Sequence, residues 1–336
     1  MKHMGYAVWL IATTIHSAAA QPASTGSGQA ASTGSGQAFP TRSIRLVVPF
    51  PPGGNIDITA RAIAPGLGDS LGQTVVVDNR GGAGGIIGIE IVTKSAPDGH
   101  TLVLASSGTV TVAPSLYSKI PYDPVKDLTS IALLSYVPIV LVVNPALPTK
   151  SIKDFIALAK SRSGKMTMAS GGNGTTNHLA GELFQLDTGA KFIHVPYKGA
   201  APAVVDVMGG QVDILFDQLS ASSNYIRSGK LRALVVAGEK RNAVIPDAPT
   251  MIESGLKNSD AGTFTALMGP TGLPRDVVAK LNTAANKTLA MPSTRDRFVS
   301  VGAEILGGTP VQLDANLKQE LAMWTRVVKA ANIKVD

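Results

Sequence analysis

Five turns in this chain share one chemistry. "PPGG" (51–54) follows the apolar run Leu46–Phe50, and "SSGT" (106–109), "GGNGTTN" (171–177), "PYKG" (196–199) and "DQLSASS" (217–223) follow other apolar runs. They are rich in Gly, Ser and Thr and stand at expected helix starts. A helix start offers unpaired backbone N–H groups and a partial positive charge, which suit an anion. Glycine lets a ligand approach the backbone closely, and Ser and Thr add short donors. Lys198 is the only cation in these turns. The Pro-Pro-Gly-Gly turn therefore reads as a rigid loop whose N–H groups point at a carboxylate. Turns between strands and helices favour Gly, Ser and Pro in any case, which would explain one such turn. Five in one register favour anion recognition.

Other chemistries find less support. "AGGIIG" (83–88) misses the dinucleotide fingerprint, because Ala83 stands where the first Gly belongs. No phosphate-binding G-x-x-x-x-G-K-[ST] loop and no G-x-S-x-G nucleophile elbow occur. His178 and Glu182 are one helical turn apart and could share a metal, but no third ligand is evident. His194 ends an apolar strand and reads as a hydrogen-bonded core residue. Asp57 and Arg61, spaced i,i+4 at a helix start, read as an ion pair that supports the first loop. Asp217 either caps the following helix or receives a ligand's amino group. No catalytic residue, metal or cofactor is expected.

These turns need a frame to position them. Strand-like runs occur at 44–50, 74–78, 101–106, 139–144, 165–170, 191–195, 213–217, 231–238 and 264–269, several apolar on both faces. Helical patterns lie between them at 56–72, 153–162, 177–189 and 201–210, and after 274 the pattern is nearly all helical. The alternation predicts an α/β fold with mostly parallel sheets. So many strands predict two lobes, with ligands bound beyond the carboxyl ends of the strands.

Length and composition agree. The chain has 336 residues, 44% apolar, with 35 Gly and 21 Pro, enough for a core built of many short elements. Residues 1–20 carry Lys2, the apolar run 7–15 and an Ala-x-Ala site at Ala18 and Ala20, the pattern of a secretory signal. Residues 21–38 hold "ASTGSGQA" twice and read as a linker without a fold of its own. There is no cysteine, so no disulfide or thiolate chemistry, and an exported chain without disulfides suits a bacterial periplasm. The formal charge is +7 but scattered, which argues against nucleic acid and for mild attraction of anions.

With these residues in view, the chain resembles the Bug-type substrate-binding receptors of tripartite tricarboxylate transporters. The likeness runs from about Pro40 to Pro310 through "RLVVPFPPGGNIDITAR", "VVVDNRGGAGGIIG", "APDGHTLVLASSG", "YDPVKDL", "NHLAGELF", "VPYKGAAPAVVDVMGGQVDILFD" and "SGKLRALVV", in that order. The resemblance implies a Venus-flytrap α/β fold of two lobes, each with a central mostly parallel sheet, joined by two crossing strands. The lobes are expected at 39–138 with 264–336, and at 139–263. It implies a periplasmic, monomeric, non-catalytic protein that captures an organic carboxylate and delivers it to membrane permease subunits. The implied contacts are Pro52, Gly53, Gly54 and Asn55 in the first loop, then Ser106, Ser107 and Thr109. Gly172, Asn173, Thr175 and Thr176 follow, then Tyr197, Lys198, Gly199 and Asp217. The chain departs from the family at Phe264-Thr265-Ala266, where a Trp-x-Gly is usual, and at "GGNGTTN", which lacks a common proline. An enzyme on the same scaffold, a hydrolase or a transferase, and a ligand sensor for a membrane kinase are the alternatives.

Overall fold

The computed structural model describes residues 39–331, apart from 239 and 257–261. The signal segment 1–20 and the linker 21–38 lie outside the described residues. The expected alternation is present. Strand β1 (Ile44–Val48) leads into helix α1 (Asn55–Leu71), then β2 (Val75–Asn79), α2 (Ile86–Thr93) and β3 (Thr101–Ser106). A π-helical turn at Gly108–Val112 runs into the short α3 (Ala113–Leu116), and β4 (Leu128–Val143) follows. Next come α4 (Ile152–Ser161), β5 (Met166–Ser170), α5 (Thr176–Thr188), β6 (Phe192–Pro196) and α6 (Ala200–Met208). The chain goes on through β7 (Ile214–Gln218), α7 (Leu219–Arg227), β8 (Arg232–Val236) and β9 (Gly262–Pro270). It ends in α8 (Arg275–Ala290), α9 (Pro292–Ser300), the short β10 (Glu304–Ile305) and α10 (Pro310–Ala331).

The strand order is β2-β1-β3-β9-β4-β7-β5-β6, with β8 and β10 paired to β4. The parallel strands foreseen are there: β2, β1 and β3 on one side, and β6, β5 and β7 on the other. The strands that run between the two sides join antiparallel, so the sheet is mixed. Strand β4 makes the join. Its Leu128–Pro138 stretch pairs with β9, and Ile139–Val143 pairs with β7 and β8. The sequence pattern placed a strand only at 139–144. Pro138 reads as a break because it cannot donate to a ladder, yet it falls where β4 changes partners and the lost donor matters least.

Local chemistry explains the helices that carry the turns. Helix α1 contains Pro65 on its exposed face. Proline removes one helical hydrogen bond and frees the carbonyl four residues earlier. That carbonyl, of Arg61, accepts from the Arg297 guanidinium at 3.3 Å. Helix α1 stops at Gly72 in the left-handed conformation, where the N–H donates to Gly68 O at 2.8 Å. Helix α10 buries Leu313, Leu317, Trp324 and Val328, a one-face spacing. Trp324 and Val328 pack with Val112 and with Leu179 of α5. The second half has its own aromatic core, where Phe155, Phe184, Phe192 and Phe216 meet.

Candidate functional site

The Pro-Pro-Gly-Gly turn is held by Asp57. Its carboxylate accepts from the Gly53 N–H at 2.9 Å, from Arg61 Nε at 3.0 Å and from Asn79 Nδ2 at 3.0 Å. Asn79 Nδ2 also donates to the Phe50 carbonyl at 2.9 Å, fastening the entry of the turn. Burial alone would raise the Asp57 pKa, but the hydrogen bonds from Arg61, Gly53 and Asn79 outweigh it and hold the carboxyl below its ordinary range. The loop-supporting role read from the i,i+4 pair is present in the geometry. One part of the expectation changes: the Gly53 N–H is engaged by Asp57 within the loop. Helix α1 begins at Gly54 with no side-chain cap, so the first N–H groups of the helix remain without side-chain partners.

The start of α1 lines a narrow cavity of about 30 Å³. It is bounded by Gly54 to Ile56 at the start of α1, by Ser106 and Gly108 after β3, and by Gly171 after β5. Thr175 to Asn177 at the start of α5, Ala200 at the start of α6 and Gln218 before α7 complete most of the wall. Four of the five turns therefore line one space, and the fifth, "PYKG", reaches it only through Ala200, the residue that follows it. No Lys, Arg, His, Asp or Glu stands among the described residues lining it. Neither α6 nor α7 has a side-chain cap. The Thr175 hydroxyl caps α5, accepting from the His178 N–H at 3.4 Å and donating to the Gly172 carbonyl at 2.8 Å. On the far wall Gln218 Nε2 lies within 3.0 Å of Thr176 Oγ1 and Asn177 Oδ1 and 3.2 Å of Thr263 Oγ1. The Thr176 and Thr263 hydroxyls are 2.6 Å apart.

The residues named from the sequence fall into three groups. Gly54, Asn55, Ser106, Thr175 and Thr176 line the cavity. Gly172, Asn173, Tyr197 and Lys198 line an adjoining pocket of about 180 Å³, opposite the Gly82–Gly85 loop and Tyr117. The two spaces share Phe50 and Gly171. The remaining residues turn elsewhere. Pro52 is exposed. The Ser107 hydroxyl accepts from the Phe264 N–H at 3.0 Å. Thr109 Oγ1 is engaged by the Ser106 backbone at 3.1 and 3.0 Å. A Cβ on Gly199 would lie 2.8 Å from Pro51 Cδ, so its role in the geometry is close packing of two turns. Asp217 is fully buried, accepting from Ser222 Oγ and from Asn177 Nδ2 at 3.1 Å. Burial pushes its carboxyl up to about 6 against the pull of these hydrogen bonds.

Gln218, Asn177 and Thr263 were missed. Side chains alternate along a strand, so when Asp217 turns inward at the end of β7 its neighbour Gln218 faces the cavity. That alternation is legible in the sequence. Thr263 carried no local signal, because only the pairing of β9 with β4 brings it to the wall.

Two histidines, the buried His178 and the half-buried His194, pack together. The rings of His178 and His194 stack with centroids 4.0 Å apart, and His194 Nε2 is 2.7 Å from Ser170 Oγ. Burial lowers the two pKa values to about 3 and about 4, helped at His178 by its neighbour. His178 Nε2 is 3.7 Å from Glu182. Among the described residues no group of three His, Asp or Glu is placed to hold a metal ion, and no helix is long and apolar enough to cross a membrane.

Known proteins share this sequence pattern and fold. The model of the tripartite tricarboxylate transporter family receptors matches residues 59–333. Protein BugT of Bordetella pertussis is 41% identical over 298 residues, which cover 88% of this chain and 91% of that protein. The structure of periplasmic binding protein BugD superposes with a TM-score of 0.86 at 37% identity, covering 88% of this chain and 99% of that one. MatC from Rhodopseudomonas palustris, solved with bound malate, gives 0.83 at 35% identity, covering 86% and 100%. The two-lobed α/β binding-protein fold comes with these likenesses. The chain belongs to the tripartite tricarboxylate transporter receptors, the Bug-type solute-binding family.

Proposed function

We propose that this protein captures a small organic carboxylate in the cavity where the helix starts converge and delivers it to the membrane permease of a tripartite transporter. It works in the periplasm as a monomer, without a cofactor and without turning its ligand over. Residues 1–20 direct export and are removed, and 21–38 tether the fold. The lobes are 39–138 with 264–336, and 139–263; the change of β4 partners between Pro138 and Ile139 supports that division.

One observation carries the reading. The cavity gathers helix N-termini and neutral donors and no fixed charge, and one buried donor in its wall, Asn55 Nδ2, has no partner. A carboxylate supplies acceptors only, and each charge-assisted hydrogen bond it gains adds roughly 1.5–3 kcal/mol. The malate bound by the relative MatC supports the ligand class. Lys198 in the adjoining pocket offers a cation to a second anionic group.

A thermal-shift panel of mono-, di- and tricarboxylates tests this. Ligand at about 100 times Kd adds roughly 2.7 kcal/mol of stability, so a cognate acid raises the melting temperature clearly. EDTA and NAD leave it unchanged. A panel without any shift, set beside a shift with a divalent metal or a nucleotide, would overturn the proposal.

A further inference from the structure

The loop between β5 and α5 holds three glycines in four residues, Gly171 to Gly174. Gly172 and Gly174 sit at φ +125 and +72, a region that favours glycine. Glycine loses more freedom on ordering than any other residue, so such a loop keeps one shape only if its peptide groups are tied. Side chains tie them. Ser170 Oγ accepts from the Gly172 N–H at 3.1 Å. The Thr175 hydroxyl donates to the Gly172 carbonyl at 2.8 Å, and the Tyr117 hydroxyl to that of Asn173 at 3.0 Å. His178 Nδ1 accepts from the Gly174 N–H at 3.4 Å. Behind these contacts His194 Nε2 lies 2.7 Å from Ser170 Oγ, and its ring stacks on that of His178 at an angle of 11°. Both imidazoles therefore brace a loop that lines the cavity through Gly171 and Thr175 and the adjoining pocket through Gly172 and Asn173.

These bonds dictate a protonation state. A ring nitrogen accepts only when it carries no proton. His178 Nδ1 must be bare to take the Gly174 N–H, so the proton of the neutral ring stands on Nε2. Nε2 faces the Glu182 carboxylate at 3.7 Å, which favours that tautomer. A second proton would cost the Gly174 bond and charge a ring whose centroid is 4.0 Å from that of His194. The groups facing His178 are thus Glu182 on its own helix and His194 on β6. We propose that His178, as the neutral Nε2–H tautomer, and His194 beside it are positioning residues for ligand binding. Neither lines the cavity or the adjoining pocket; they hold the loop in its binding shape through Gly174 and Ser170. A pair that only packs α5 on β6 would be indifferent to where the proton stands. This rests on the carboxylate reading of the cavity.

Two measurements test it. Proton–nitrogen NMR on wild-type protein with labelled histidine at pH 7 should show His178 neutral, with its proton on Nε2. A proton on Nδ1, or on both nitrogens, overturns the proposal. Titration calorimetry with malate, adipate, citrate and benzoate then finds the tightest binder for the variants. His178→Leu, which keeps bulk and loses the acceptor, should weaken binding about two- to twelve-fold, the range of a net hydrogen bond. His178→Asn sets an amide oxygen where Nδ1 stands and should recover most of that affinity. His194→Leu should weaken binding in the same way, and His194→Gln, whose amide reaches the Nε2 position, should recover it. Melting temperatures separate positioning from packing. His178→Asn, the smaller side chain, should melt no higher than His178→Leu and yet bind more tightly, an order that packing alone does not give. Leu variants that bind like wild type, or affinities that simply follow melting temperature, overturn the positioning role alone. If none of the four acids binds the wild type, the carboxylate reading falls and the positioning role with it.

Discussion

The hydroxyl of Tyr117 donates to the backbone carbonyl of Asn173 at 3.0 Å. Tyr117 follows α3 on the β3 side of the molecule, and Asn173 belongs to the loop between β5 and α5 on the other. Next to this contact a Cβ on Gly84 would lie 2.6 Å from the Asn173 carbonyl oxygen. The "RGGAGG" loop therefore closes against the second loop with no room for a side chain, and Tyr117 fixes the approach.

Tyr117→Phe should leave the fold intact and weaken carboxylate binding about two- to twelve-fold, the range of a net hydrogen bond of 0.5–1.5 kcal/mol. Gly84→Ala should weaken it more, since the added methyl strikes backbone and the residue has φ +62. Calorimetry gives both affinities. Small-angle scattering at saturating ligand should show a larger radius for Gly84→Ala than for wild type. Equal radii and affinities would remove the contact from any role in closure.

Asp57 supports the first loop through Gly53, Arg61 and Asn79. Asp57→Asn sets an amide against these donors, so a cost of about 1–3 kcal/mol at pH 7 is expected. The native carboxyl titrates below its ordinary 3.8, so its contribution is present above that pH and lost only as pH falls below it. Chemical unfolding at pH 7 and pH 3 should show the full wild-type advantage at the first pH and a smaller one at the second.

Lys198 offers a side-chain cation, whereas Gly53 shapes the first loop through its N–H bond to Asp57. Lys198 is exposed and lines only the adjoining pocket. Lys198→Ala should therefore weaken binding of a dicarboxylate up to about ten-fold and flatten its salt dependence, while a monocarboxylate feels little. Gly53→Val should do more harm. Gly53 has φ +92, a region a β-branched residue rarely adopts, and its Cβ would touch Ala201 at 3.4 Å. Calorimetry on both variants at two salt concentrations reads the difference. Loss of all binding in Lys198→Ala, with Gly53→Val unaffected, would assign affinity to the lysine.

The His178–His194 pair makes the fold acid-sensitive. Its folded pKa values, about 3 and about 4, lie below the unfolded value of 6.5. Between pH 6.5 and 4 the unfolded chain takes up protons that the folded protein refuses, so stability falls as pH falls. Asp217 works the other way: its folded value, about 6, lies above 3.8, so its contribution is present below pH 3.8 and lost as pH rises through 6. His194→Gln should flatten the acid loss, and Asp217→Asn should steepen it. Denaturant midpoints at pH 7, 5.5 and 4.5 separate the two signs.

The sequence alone determined the elements and the kind of chemistry. Apolar runs of strand length, glycine-rich turns and one-face helical stripes are local patterns. They placed β1, β3 and β5 and the turns after them close to where the structure has them. Asp57 and Arg61 were legible because a spacing of four on a helix fixes their distance. What the tertiary structure decided is which members of each turn line the cavity. Gly53 spends its N–H on Asp57, Ser107 spends its hydroxyl on Phe264, and Asp217 turns into the core while Gln218 faces the cavity. Thr263 and the contact between Asn55 and Ser220 arise only when distant elements meet, 165 residues apart in the latter case. A turn's composition says that it can bind an anion. Which of its donors are already taken depends on partners far along the chain, and no local pattern encodes them.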